Sequence, residues 1–358
     1  MRSIVRDDRF DLTIAETGHT ATPVVVHPRM SIPLSILDLA PVAPGQTVRE
    51  SFAASVALAQ QAEASGYRRV WYAEHHNMAS IASSATSVLI AHIASQTSTI
   101  RLGSGGVMLP NHSPLAIAEQ FGTLETLHPG RIDLGLGRAP GSDQVTMRAM
   151  RRDPASSDRF PQDVQELQGY LSQQSLVPGV SATPGAGTEV PLYILGSSLF
   201  GAQLAAALGL PYAFASHFAP DALEQAVEIY RRDFRPSAQL SEPHLIVGVN
   251  VIAADTVAEA QAQFLRTKRS RVSLLLGRGR TFTDEEADMV LEAPAGQQIS
   301  KMTKYSAVGT PDMVREYLDR FAERTGADEL IVASGVSDRR SWLRSFELLA
   351  QVSELVPA

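Results

Sequence analysis

The sequence predicts an α/β fold, a (β/α)8 barrel with insertions, and three observations carry that reading. Eight short apolar runs recur along the chain. Segments of helical period separate them. The early runs begin about 30–35 residues apart, the size of one βαβ unit. Runs that are apolar almost throughout suit strands covered on both faces, as in a parallel sheet. Eight repeats favour closure over an open doubly wound sheet, and no early G-x-G-x-x-G turn supports a classical dinucleotide fold.

Residues 1–30 lack an apolar signal core and read as a loosely packed extension before a barrel domain at 31–358. The first strand is expected in IPLSILDLA (32–40), followed by a helix in VRESFAASVALAQQAEASG (48–66). RRVWYAEHH (68–76) and IRLGSGGVML (100–109) are the next strands, with a helix in SATSVLIAHIASQT (84–97) between them. SPLAIAEQFGTLETLHPG (113–130) leads to the strand RIDLGLGRA (131–139). DVQELQGYLSQQ (163–174) precedes PLYILGSS (191–198), and LFGAQLAAALG (199–209) precedes YAFASHF (212–218). DALEQAVEIYRRDF (221–234) leads to HLIVGVNVIAA (244–254). A helix starting at Thr310–Pro311 leads to the last strand, DELIVASGV (328–336), and SDRRSWLRSFELLAQVSEL (337–355) closes the chain. Gly66, Gly130 and Gly209 stand where helices end and suit left-handed caps. Two longer connections interrupt the rhythm, 140–190 and 277–306, and the second is a candidate mobile lid.

The 358 residues carry 31 Lys plus Arg against 38 Asp plus Glu, a net charge of −7, with no basic stripe interleaved with aromatics, so nucleic acid is not an expected partner. No cysteine is present, which excludes disulfides, thiolate catalysis and Cys-type metal sites and suits a cytoplasmic setting. No apolar run is long enough to span a bilayer.

In such barrels chemistry sits where the strands finish. Those ends hold Asp38; Glu74, His75 and His76; Gly105, Gly106 and Val107; Gly137 and Arg138; Gly196, Ser197 and Ser198; and His217. A histidine titrates near neutral pH, and two adjacent histidines at a strand end face opposite ways, so one of His75 and His76 should meet the barrel mouth. Glycines bare the backbone for a flat ligand or for tight packing against a neighbour; packing is the expectation at Gly103, and a flat ligand against strands 3 and 4 is the expectation at Gly105–Gly106 beside Gly135 and Gly137. GSS opens a helix, so Ser197 and Ser198 either cap it or bind phosphate together with its free N–H groups. Arg138, with Arg159 as a second cation, favours phosphate, although surface ion pairs explain both equally simply. A metal at Glu74, His75 and His217 lacks any recognised ligand spacing.

VWYAEHHN, GSGGVMLPNHSPLAIAEQFGTLETLHPGRIDLGLGRAPG and PLYILGSS resemble the bacterial luciferase-like flavin-dependent monooxygenases over roughly residues 32–355. The resemblance implies a TIM barrel that uses reduced FMN, or in some branches a reduced deazaflavin, supplied by a separate flavin reductase. It implies that His75 is the catalytic base. It places Gly105 and Gly106, often joined by a cis peptide, with Val107 and Gly137 beside the flavin ring. Arg138, Arg159, Gly196, Ser197 and Ser198 then lie beside the phosphate, and Asp38, Glu74, His76 and His217 line the substrate pocket. Where relatives carry cysteine, this chain has Gly137, so the local substrate contact differs. The expected reaction joins a small organic substrate to molecular oxygen, in a homodimer. The alternatives are a deazaflavin-dependent dehydrogenase, a flavin-binding protein without catalysis, and a metal-dependent barrel hydrolase.

Overall fold

Strands in this chain are apolar on both faces because both faces are covered, and the structure, a computed structural model, shows by what. It describes residues 32–277, 280 and 282–357; the expected extension at 1–30 lies outside them. Seven parallel strands pair in chain order: β1 (Leu34–Asp38), β2 (Arg69–Tyr72), β3 (Arg101–Met108), β4 (Ile132–Gly137), β5 (Leu192–Gly196), β6 (Tyr212–Phe214) and β7 (Leu245–Ala253). Two more follow, β8 (Ser306–Gly309) and β9 (Glu329–Ala333). β9 pairs with both β7 and β1 and closes an eight-stranded barrel. β8 stands outside that ring, beside Asn250–Ala253 at the far end of β7.

Among the described residues twelve α-helices flank these strands: α1 (Val48–Ser65), α2 (Thr86–Ala94), α3 (Pro114–Leu127), α4 (Gln144–Ala149), α5 (Phe160–Leu171), α6 (Leu199–Leu208), α7 (Leu223–Asp233), α8 (Val257–Leu276), α9 (Asp284–Glu292), α10 (Pro294–Met302), α11 (Pro311–Thr325) and α12 (Arg339–Val352). Local chemistry sets several ends. A Thr47–Glu50 capping box starts α1, Ser113 caps α3, and Pro311 opens α11. Gly66 and Gly209 cap α1 and α6 with φ of 86° and 65°. Gly130 differs from expectation. It has positive φ, but α3 has already ended at Leu127 and Gly130 belongs to the following turn.

The eight strands expected from the sequence all appear. The 277–306 connection is different: much of it is regular, with α9 and α10 packed back on α8 through Val272, Ala287 and Ile299 and β8 beginning at its end. Residues 278, 279 and 281 lie outside the described residues.

The barrel has two cores. Outward residues such as Leu34, Ile36, Val70 and Leu134 pack against the helices. Inside, Leu37, Trp71, Ala73, Tyr193, Ala213, Ile246, Ile331 and Ala333 form a middle layer, with Trp71 edge-on to Tyr193 at 5.0 Å. Below them, at the strand starts, lies a charged floor. Arg69, 1% exposed, donates to Asp133 at 2.7 Å and to Tyr193 at 2.8 Å and pairs with Glu329 at 2.9 Å. Trp71 Nε1 donates to Asp133 at 3.1 Å. Burial alone would depress the Arg69 pKa, but Glu329 and Asp133 hold it above its ordinary value. The floor is closed, so the strand ends at the opposite rim are where a ligand can enter.

Candidate active site at the barrel mouth

The segment after β2 runs apolar into polar because it leaves the sheet at the rim. His75 follows the inward parity of Arg69, Trp71 and Ala73. Its ring is half-buried, its Nδ1 is buried without a hydrogen-bond partner, and burial lowers its pKa. The ring is therefore neutral at pH 7, with a nitrogen free to give or take a proton. His217, after β6, lies close enough to feel His75 electrostatically. It is half-buried over Gly248, its Nδ1 is buried and also unpartnered, and desolvation, with Arg271 and His75 nearby, pushes its pKa down to about 3.

His76 turns the other way. Its Nε2 meets the Glu74 carboxylate at 2.8 Å, and His112 Nε2 meets the same carboxylate at 2.9 Å. The Met108 N–H donates to Glu74 at 3.0 Å and Asn111 Nδ2 at 3.3 Å. Burial would raise the Glu74 pKa, but the bonds from His112 and His76 outweigh it and draw it down to about 2. Glu74 is 1% exposed and surrounded by protein donors, so it stands behind the site and does not line a substrate pocket. Met108, Asn111 and His112 were missed in the sequence. Their signal was the NHS segment directly after β3, which carried no recognisable spacing.

Asp38 is also displaced from expectation. It shares the outward parity of Leu34 and Ile36, is 1% exposed, and lies against α1 and near Tyr72 instead of in the mouth. Its Oδ1 accepts the Ala40 N–H at 2.7 Å. Val107 is a third correction for its side chain. The pairing of β3 with β4 shifts between Ser104 and Val107, which reverses the alternation and sends Val107 into the outer core.

The peptide Gly105–Gly106 is cis, as the resemblance implied. Neighbouring protein atoms demand glycine at several of these positions. A Cβ on Gly103 would lie 2.6 Å from the Asp133 carbonyl oxygen, and one on Gly106 would lie 2.6 Å from that of Gly135. At Gly105 it would lie 2.7 Å from Leu37 Cδ1. Packing therefore accounts for these glycines, and bared backbone is its by-product. At Gly137 the space is taken by the Met108 thioether, 2.8 Å from such a Cβ.

At the β5–α6 turn the two readings separate. Ser198 occupies the N-cap of α6 with extended backbone, yet its side chain makes no capping hydrogen bond. The first-turn N–H groups thus lack a side-chain acceptor, two serine hydroxyls flank them, and Arg138 stacks 4.1 Å over the Phe200 ring in that same turn. At Gly196 a Cβ would meet the Gly201 Cα at 3.7 Å, an ordinary contact, so packing does not demand glycine there. A dipole end, hydroxyls and an exposed guanidinium fit a phosphate. Arg159 is not brought into the cradle; it pairs with Asp163 at 3.6 Å and is 73% exposed. Its turn nevertheless touches Arg138, whose carbonyl accepts from Ser157 Oγ at 3.3 Å. Among the described residues no group of three or more His, Asp or Glu is arranged to hold a metal ion, and no helix is long and apolar enough to cross a membrane.

A closed parallel barrel that gathers histidines and a bare helix N-terminus at its strand ends has the architecture of a barrel enzyme. Within that class the chain belongs to the luciferase-like monooxygenases, whose family model matches residues 32–329. A protein of Escherichia coli (strain K12) named luciferase-like monooxygenase is 50% identical over 329 residues, spanning 90% of this chain and 98% of its own. An N-acetyl-S-alkylcysteine monooxygenase of Bacillus subtilis (strain 168) is 32% identical across 89% of this chain and 97% of its own. Among solved structures, apo-MsnO8 matches with a TM-score of 0.83 and 38% identity, over 91% of this chain and 99% of its own. The same fold recurs in the FMN-bound oxygenating constituent of 3,6-diketocamphane monooxygenase from Pseudomonas putida (TM-score 0.69, 20% identity, 91% of this chain and 99% of its own). It recurs also in an F420-dependent secondary alcohol dehydrogenase (TM-score 0.66, 14% identity, 92% of this chain and 99% of its own).

Proposed function

We propose that the protein is an FMN-dependent monooxygenase that uses reduced FMN, delivered by a separate reductase, and molecular oxygen to oxygenate a small organic substrate. The observation that carries the reading is the uncapped N-terminus of α6 beside Ser197, Ser198 and Arg138, a donor set matched to the terminal phosphate of FMN. When bound, the reduced flavin supplies the electrons that activate oxygen. Arg138 and the serine turn anchor the phosphate, and the Gly105–Gly106 backbone borders the space left for the ring. His75, neutral and with an unpartnered Nδ1, moves a proton at the reacting centre. Glu74 fixes His76 and His112 and thereby the rim around His75. The apolar middle layer around Trp71 helps exclude water, which limits wasteful side reactions. A homodimer in the cytoplasm belongs to the same reading.

A second reading, a deazaflavin-dependent dehydrogenase, has one observation in its favour: the same fold is found in F420-dependent enzymes. An oxygen electrode separates the two. Oxygen uptake with photoreduced FMN above the buffer rate, changed on adding substrate, is the expected outcome. Turnover with reduced deazaflavin and no oxygen uptake would replace the proposal with the second reading. His75→Ala should lower substrate oxygenation by about 10²-fold or more while FMN affinity stays within about twofold. A loss of FMN binding of the same size would make His75 structural.

A further inference from the structure

α8 carries a polar stripe at one-turn spacing, Gln263, Thr267 and Arg271, on the side turned to the strand ends. Thr267 Oγ1 donates to the Gly335 carbonyl, just beyond β9, at 2.8 Å. One turn further, Arg271 Nη2 donates to Asn250 Oδ1 at 3.1 Å. Asn250 stands on the inner face of β7, two places beyond Gly248 and four beyond Ile246 of the middle layer, so this contact puts the guanidinium over the mouth. Asn250 is committed in turn, with its Nδ2 donating to the His217 carbonyl at 2.6 Å.

Arg271 is an unusual cation. It is half-buried, its Nη1 is buried with no hydrogen-bond partner, and among the described residues no carboxylate pairs with it. Burial lowers its pKa, with no opposing charge to offset that. Arg69 in the barrel floor, by contrast, is matched by Asp133 and Glu329. An arginine held this way, with spare donors, is a receptor for a planar anion. It is distinct from the phosphate cradle, which is built on β4, β5 and α6. The groups near it are neutral: His217, with its buried free Nδ1, and through it His75. Beside them lie apolar surfaces, with Phe218 43% exposed and its ring 5.1 Å from that of His217.

We propose that Arg271 binds a carboxylate of the substrate, so that the substrate class is a small carboxylic acid whose apolar part lies toward His75 and the middle layer. This deepens the monooxygenase reading and rests on it for the identity of the site. Arg271 is a substrate-binding residue here. It fixes the acid end, and His75 then meets the opposite, apolar part.

Calorimetric titration of hexanoate and of its neutral match hexanamide into the full-length protein tests this, with FMN titrated separately. The wild type should bind the acid about tenfold or more tightly than the amide. Arg271→Gln, which retains a donor for Asn250, should bind the two alike, and Arg271→Lys should keep part of the preference and show that the site still folds. FMN affinity should be equal in all three. Equal affinities for acid and amide in the wild type, no measurable hexanoate binding, or a preference that survives in Arg271→Gln would each overturn the inference. FMN binding without acid preference sinks this inference alone. Acid preference without FMN binding sinks the flavin reading and supports only the acid-binding role of Arg271.

Discussion

Asp38 and Glu74 are both carboxylates at strand ends, each 1% exposed, yet their pKa values move in opposite directions, because only Glu74 has enough donors to outweigh burial. Glu74 has several donors around it and is held ionised, with its pKa drawn down to about 2. Asp38 has one firm donor, the Ala40 N–H, and an orphan Oδ2, so burial pushes it up to about 6. A folded pKa raised above the unfolded value means that the fold favours the protonated form. The ionised carboxylate therefore costs stability above pH 6, and the cost fades as pH falls from 6 towards 3.8. Asp38→Asn keeps the acceptor for Ala40 and removes the charge. It should stabilise the protein by roughly 1–3 kcal/mol at pH 8 and by much less at pH 5, measured by chemical denaturation. A destabilisation at pH 8 would show that the charge has a partner. The sequence made both residues legible as strand-end acids but not their facing, because facing depends on where the strand leaves the sheet. Arg271 was illegible for a related reason. Nothing local marks a helix arginine as unpaired; only the fold lays α8 across β7.

Among elements, α6 is where the sequence offered two readings and the geometry favours one. A capping serine contributes about 1 kcal/mol, and its loss should show as lower stability. Ser198 makes no such bond. Ser198→Ala should therefore change unfolding free energy by less than about 0.5 kcal/mol while weakening FMN binding several-fold. A stability loss near 1 kcal/mol with FMN affinity intact would restore the cap reading. The strands were readable because both of their faces are buried, as the nine consecutive buried residues of β7 illustrate. The α8–α10 region and β8 were not, since α8, α9 and α10 share a small satellite core around Val272, Ala287 and Ile299, and β8 has only four residues. A short strand with half-buried alternation resembles any loop until a neighbour pairs with it.

At the scale of the molecule, the barrel divides into a sealed floor and an open rim, and stability and chemistry are assigned to opposite ends. Removing Arg69 would take away the buried cation that Glu329 and Asp133 share, leaving Glu329 with Arg68 at 3.5 Å and Asp133 with the partly exposed Arg101. Arg69→Met should cost about 3–5 kcal/mol in denaturant unfolding, with Arg69→Met/Glu329→Gln recovering part of it. A loss below about 1 kcal/mol would mean the floor is hydrated. The same network sets the acid limit. Glu329, whose burial is outweighed by Arg69, has its pKa held at about 2 against 4.5 when unfolded. Its contribution is complete above pH 4.5 and disappears as pH falls from 4.5 to 2, and Glu74 follows the same course. The central claim concerns the rim, and the most direct measurement is a crystal structure of the protein soaked with FMN. The account predicts phosphate density on the α6 N-terminus, with Ser197, Ser198 and Arg138 within hydrogen-bond distance, and the ring against Gly105–Gly106 within reach of His75. FMN bound elsewhere, or a rim that stays empty at saturating FMN, would contradict it.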